Sequence, residues 1–212
     1  MDVRSFTVGP VAENCYVARR DGAETGIVVD PGDDAERILG AIERLAIGVE
    51  AILITHCHFD HIAAVAPVAR ATGAQVWCPT LEVPVLADIM SFVPWPGFGP
   101  YESYDADAEV SGGERLSLAG LDIDVIFTPG HSPGHVTYSI PDEAALFSGD
   151  VLFKRSVGRT DLPGGDWPTL LESIRGLVDA FDEGTVVYPG HMGITTLGAE
   201  RATNPFLAEL AR

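Results

Sequence analysis

Lysine is almost missing from this chain: among 212 residues Lys154 is the only one, and 13 basic side chains face 31 acidic ones, for a formal charge of −18. Nucleic-acid binding rests on Lys and Arg neutralising phosphates, so binding or processing of DNA or RNA is excluded as an expectation. Cysteine is equally scarce. Cys15, Cys57 and Cys78 make an odd set with no C-x-x-C pair, which argues against a disulfide framework and for a reducing, cytoplasmic setting. No apolar run approaches the ~20 residues of a membrane helix, and the first residues, Met1 to Val8, lack the apolar core of a secretion signal. The expected protein is soluble, with a small-molecule substrate and no nucleic-acid or membrane partner; its oligomeric state is not readable. No repeat of 20 to 50 residues is visible.

What the chain does have is enough apolar content, 46%, to bury a good core in one domain spanning 1–212. Ser5 to Val8, Cys15 to Arg19 and Gly26 to Asp30 read as strands separated by Gly-Pro and Asp-Gly turns. In Ala35 to Ala46, Ile38, Leu39, Ile42 and Leu45 recur at helical spacing behind Asp33 or Asp34 as cap. Ala51 to Ile54 reads as a buried strand, and Ile62 to Ala71 as a helix. Further strands are expected at Leu121 to Phe127, Val136 to Ile140, Ala144 to Phe147 and Val186 to Tyr188. Helices are expected at Trp167 to Phe181 and, broken by Pro205, at Leu197 to Leu210. Between them, residues 79–110 interleave Pro79, Pro84, Pro94, Pro96 and Pro100 with Phe92, Trp95, Phe98, Tyr101 and Tyr104. A long irregular segment of this kind is either a lid over a site or a packed satellite of the core.

The chemistry is concentrated in Thr55-His56-Cys57-His58-Phe59-Asp60-His61, directly after the buried strand. One buried histidine is usually a hydrogen-bonded core residue. Three histidines and an aspartate at one strand end would leave costly unsatisfied polar groups unless they held a metal, and imidazole nitrogens and carboxylate oxygens suit zinc and related divalent ions. His131 in Thr128-Pro129-Gly130-His131, Asp150 in Ser148-Gly149-Asp150 and His191 in Tyr188-Pro189-Gly190-His191 each follow a strand-like run at a glycine-marked turn.

H-x-H-x-D-H followed by a lone His, a lone Asp and a last His resembles the metallo-β-lactamase superfamily. Asp30-Pro31-Gly32, Gly130-His131-Ser132-Pro133-Gly134-His135, Gly149-Asp150-Val151-Leu152-Phe153, Gly158-Arg159-Thr160-Asp161-Leu162 and Pro189-Gly190-His191 resemble its glyoxalase II-like thioester hydrolases, over nearly the whole chain. The resemblance implies an α/β fold, the four-layer αβ/βα sandwich. It implies two divalent ions, zinc first, with iron or manganese as alternatives. His56, His58 and His131 would hold one ion, Asp60, His61 and His191 the other, with Asp150 bridging. Ala64 replaces a glycine usual in the family, a departure that concerns packing rather than ligation.

The function so implied is hydrolysis of a thioester of the hydroxyacylglutathione type by a hydroxide shared between the ions, which supply a nucleophile near neutral pH without a side-chain base. Asp60 would be both ligand and catalytic orienter of that hydroxide. A departing thiolate, with a thiol pKa near ~8.5, needs no general acid. Arg159 falls where related enzymes place a basic residue for the glutathione carboxylate, and a guanidinium matches a carboxylate bidentately. Mycothiol or coenzyme A are equally compatible carriers: the chain lacks the C-terminal helical domain of longer glyoxalase II enzymes, and Asp161 stands where they have Tyr. Lys154 is either a further substrate contact or a solvated loop residue. His135 is expected to fix its loop rather than touch substrate, and Cys57 to point into the core. The bridging Asp150 argues against β-lactam hydrolysis. Two alternatives stay open: a mononuclear-iron persulfide dioxygenase using His56, His131 and Asp150, and a lactonase or other ester hydrolase.

Overall fold

The computed structural model describes residues 1–93 and 95–207. The chain opens as a meander of β1 (Asp2–Val8), β2 (Glu13–Arg19) and β3 (Thr25–Val29), and passes through α1 (Ala35–Leu45) into β4 (Gly48–Leu53). Then come α2 (Phe59–Ile62), α3 (Val65–Thr72), β5 (Gln75–Pro79), the short helices α4 (Val83–Ala87) and α5 (Ile89–Phe92), and β6 (Ala108–Val110). These six strands form one sheet in chain order, antiparallel from β1 to β3 and parallel from β3 to β6.

The second half supplies β7 (Arg115–Leu118), β8 (Leu121–Phe127), β9 (Val136–Ile140), β10 (Ala145–Gly149) and the small pair β11 (Leu152–Phe153) and β12 (Ser156–Val157). It closes with α6 (Trp167–Ala180), β13 (Val186–Pro189), β14 (Thr195–Thr196) and α7 (Leu197–Thr203). Its sheet runs β14-β13-β10-β9-β8-β7, with β10 and β13 parallel and the other pairs antiparallel.

Period-two alternation decides the layers, because successive strand side chains face opposite ways. In β2 to β4, Tyr16, Ala18, Ile27, Val29, Ala51 and Leu53 face one way and meet Val125, Val136, Tyr138, Ile140 and Phe147 of the second sheet. Their neighbours Val17, Val28, Ile52 and Ile54 face the other way, onto Ile38 and Ile42 of α1 and Val65 and Val68 of α3. Leu146 and Val187 turn outward to Leu170, Ile174 and Leu177 of α6. Helix, sheet, sheet, helix is the expected four-layer sandwich.

Several details differ from the sequence reading. The segment expected to be one helix from Ile62 is two, α2 and α3, meeting at Ala63 and Ala64. Neither Asp33 nor Asp34 caps α1 with its side chain; Asp34 itself takes a left-handed backbone, and its carboxylate accepts the Gly9 N–H at 3.3 Å. Residues 79–110 are not wholly irregular: Pro84 sits in the first turn of α4, where a missing N–H costs nothing, and β6 adds an edge to the first sheet. Asp166 caps α6 by accepting the Thr169 N–H at 2.9 Å. Helix α7 stops before Pro205; Pro94, and the part of the expected terminal helix within 208–212, lie outside the described residues. Among the described residues no helix is long and apolar enough to cross a membrane.

Candidate metal centre

The loops that carry chemistry leave one end of both sheets. Asp30 follows β3, the 54–61 stretch follows β4, His131 follows β8, Asp150 follows β10 and His191 follows β13. The structure brings all seven proposed ligands together at this seam. His56 Nε2 lies 3.1 Å from His58 Nδ1, and His58 Nδ1 lies 2.8 Å from His131 Nε2. The donors of Asp60, His61 and His191 form a second group, and within each group all donor atoms lie inside 4.8 Å of one another. Asp150 stands between them: Oδ1 is 3.3 Å from His61 Nε2, and Oδ2 is 3.5 Å from both His131 Nε2 and His191 Nε2.

The donor set fits divalent ions. His61 Nε2 and Asp150 Oδ1 are buried without an aligned hydrogen bond to each other or to any other group, a costly state that a shared cation relieves. Burial, then His61, His58 and His131, hold His56 well below the ordinary imidazole range, and burial followed by His131 pushes His58 down to about 4. Both therefore present neutral lone pairs. For Asp150, burial opposes ionisation, but His61 and then His131 and His191 outweigh it and keep the carboxyl well below its usual range. Burial likewise works against charge on His61, yet Asp150 and Asp60 hold it well above normal. These carboxylates demand a positive partner, and a divalent ion meets that demand with His61 neutral.

A layer of partners behind the donors fixes their orientation. Asp30 accepts from Thr55 N at 2.7 Å and Thr55 Oγ1 at 2.6 Å, and lies 3.0 Å from His61 Nδ1. Thr55 Oγ1 also lies 3.1 Å from His56 Nδ1. His131 Nδ1 donates to the Arg159 carbonyl at 2.7 Å. His135 Nε2 accepts the Asp150 N–H at 3.0 Å while Nδ1 meets Thr128 Oγ1 at 3.0 Å, so its ring holds the Asp150 turn. Asn14 Nδ2 donates to Pro189 O and Met192 O, at 3.1 and 2.8 Å, framing His191. A side chain at Gly190 would strike Asp150 Oδ1 and stand 2.6 Å from His61 Cε1, so only glycine lets this turn approach. Cys57 belongs to the outer core, its Sγ 3.6 Å from that of Cys78. Asn14 and the buried Glu82 escaped the sequence reading, and Thr55, though it opens the motif, was given no role there.

A cavity of about 520 Å³ opens over the donors, walled by Val11, Leu81, Val85, Phe92, Trp95 and Leu162. Arg159 lines it, but its guanidinium is engaged by Asp161, Nε to Oδ1 at 2.6 Å and the terminal nitrogen to Oδ2 at 2.7 Å. Lys154 is not among the cavity's lining residues: of the two cations proposed for substrate, the structure brings only Arg159 to the site.

Comparison with known proteins agrees with this geometry. Hydroxyacylglutathione hydrolase GloC of Haemophilus influenzae is 30% identical over 214 residues, 98% of each chain. The crystal structure of BLEG-1 B3 metallo-beta-lactamase superposes with a TM-score of 0.92 at 39% identity, covering 97% of this chain and 99% of that one. That of TTHA1623 in a di-iron-bound form gives 0.84 at 38% identity, covering 96% and 100%. The model of the metallo-beta-lactamase superfamily matches residues 8–191, and the chain belongs to that superfamily.

Proposed function

We propose that this metallo-hydrolase-family protein cleaves thioesters, of the hydroxyacylglutathione type, with His56, His58 and His131 holding one divalent ion, Asp60, His61 and His191 a second, and Asp150 between them. The observation that carries the reading is the pair of orphaned buried atoms, His61 Nε2 and Asp150 Oδ1, at the centre of seven converging donors. When bound, such ions acidify water and stabilise a developing oxyanion; zinc, iron and manganese all suit the donors. The chain's own residues do the rest. Asp60 accepts a hydrogen bond from the attacking water and orients it. The apolar walls hold the acyl group and exclude bulk solvent, and the leaving thiolate needs no acid. The similarity to GloC supports the thioester.

A second reading, β-lactam hydrolysis, draws support from the likeness to BLEG-1, although Asp150 argues against it. Metal analysis of the purified protein, with thioester and chromogenic cephalosporin assays side by side, tests both. We expect close to two ions per chain, faster turnover of the thioester, and loss of both metal and activity, by about 10²-fold or more, in Asp150→Ala. One iron per chain with oxygen uptake on a thiol persulfide would replace the hydrolase by a dioxygenase.

A further inference from the structure

Glu82 ends a single turn of 3₁₀ helix, Thr80–Glu82, after β5, and is 4% exposed. Its Oε2 accepts the N–H of Cys57, the residue between His56 and His58, at 3.2 Å. Its Oε1 accepts the Ser132 hydroxyl at 2.7 Å and the Gly134 N–H at 2.8 Å, one and three residues after His131. Three donors from two loops converge on one carboxylate, the arrangement in which a carboxylate makes its strongest bonds. A Cβ on Gly134 would stand 2.6 Å from Glu82 Cγ, so the approach is as close as the backbone allows.

These two loops belong to different sheets, and they carry the three histidines of one donor group. Other bonds cross the seam nearby, from Val136 N to Thr55 O at 2.9 Å and from Tyr138 Oη to Ile54 O at 2.9 Å, but they tie strand ends. Glu82 alone, among the described residues, grips the backbone between two ligands on one side and beside the third on the other. We infer that Glu82 is a positioning residue: it sets the distance of His131 from His56 and His58, and thereby the affinity of that group for its ion. The inference rests on the metal reading above. It gives Glu82 no part in holding Asp60, His61 and His191: Asp30 lies 3.0 Å from His61 Nδ1, and Asn14 holds the backbone on either side of His191.

The test is cobalt(II) titration of metal-free protein, following the ligand-field absorption of each bound ion. Glu82→Gln keeps the shape but offers one oxygen and turns an amide NH₂ towards a donor; Glu82→Ala removes the clamp. Cobalt binding to the three-histidine group should weaken by about 10- to 100-fold in the alanine variant, less in the glutamine variant, with its absorption band shifted, while the other step moves less than about twofold. Equal weakening of both steps, or of neither, would overturn the inference. If Glu82→Ala does not fold, Ser132→Ala, which removes one donor of three, must give a smaller shift of the same step, and no shift overturns the proposal. Wild-type protein that takes up no cobalt at all would defeat the metal reading and Glu82's role with it, whereas normal uptake with unaffected variants defeats only the latter.

Discussion

Arg159 plays two parts through two sets of atoms. Its backbone carbonyl orients the His131 ring, and its guanidinium, at the cavity rim, lies against Asp161. Both side chains of that pair are largely exposed, 52% and 68%, so solvent screens it and an incoming carboxylate can displace Asp161 at small cost. Arg159→Lys keeps the charge and the carbonyl but loses the planar fork. It should raise KM for a carboxylated thioester about 3- to 10-fold and leave a neutral acyl thioester unchanged, as steady-state kinetics on matched substrates would show. An equal loss on both would make Arg159 a structural ion-pair partner only. At this scale the sequence was legible wherever donors crowd into one motif, as in His56 to His61. It was silent on Glu82, whose partners lie 25 to 52 residues away, and on the bonds of Asn14 to the turn around His191, more than 170 residues away, because such distant pairings give no local pattern.

Among elements, the segment between β5 and β6 joins structure to specificity. Phe98 and Tyr101 pack on Phe59, with ring centres 4.9 and 5.8 Å away, and Phe59 sits between His58 and Asp60. Phe92 and Trp95 remain 53% and 40% exposed at the cavity mouth, the Trp95 ring also meeting Phe59 edge-on at 6.1 Å. The segment is thus satellite at one end and cavity wall at the other. Replacing Phe92, Trp95 and Phe98 together by Ala should raise KM for long acyl thioesters about 10-fold more than for short ones, and Phe98→Ala alone should cost about 1–3 kcal/mol of stability in denaturant titration. Unchanged kinetics across chain lengths would make the whole segment structural. Strands such as β3, β4 and β8, with clean apolar runs or alternation, could be read from sequence. The three residues of β6 and the proline-bearing α4 could not, because tertiary pairing, not local pattern, creates them.

For the molecule as a whole, charge sets the encounter. A net −18, or −14 with two divalent ions, repels an anionic thioester over distances that salt shortens, since the screening length is about 8 Å at physiological ionic strength. Raising sodium chloride from low to physiological levels should therefore increase kcat/KM for an anionic thioester while a neutral one stays flat. A fall with salt would instead show that Arg159 and the bound ions dominate the approach path.

The seam itself has a consequence for assembly. Each donor group draws two members from the 54–61 loop and its third from the second half, His131 for one and His191 for the other, with Asp150 from that half as well. Neither half carries all the members of either donor group, so a chain that has folded only its first sheet would present each group one donor short. On the metal reading proposed above, tight uptake would wait until the halves dock, and seated ions would act as rivets across the joint, making metal retention a gauge of how well the two sheets have closed.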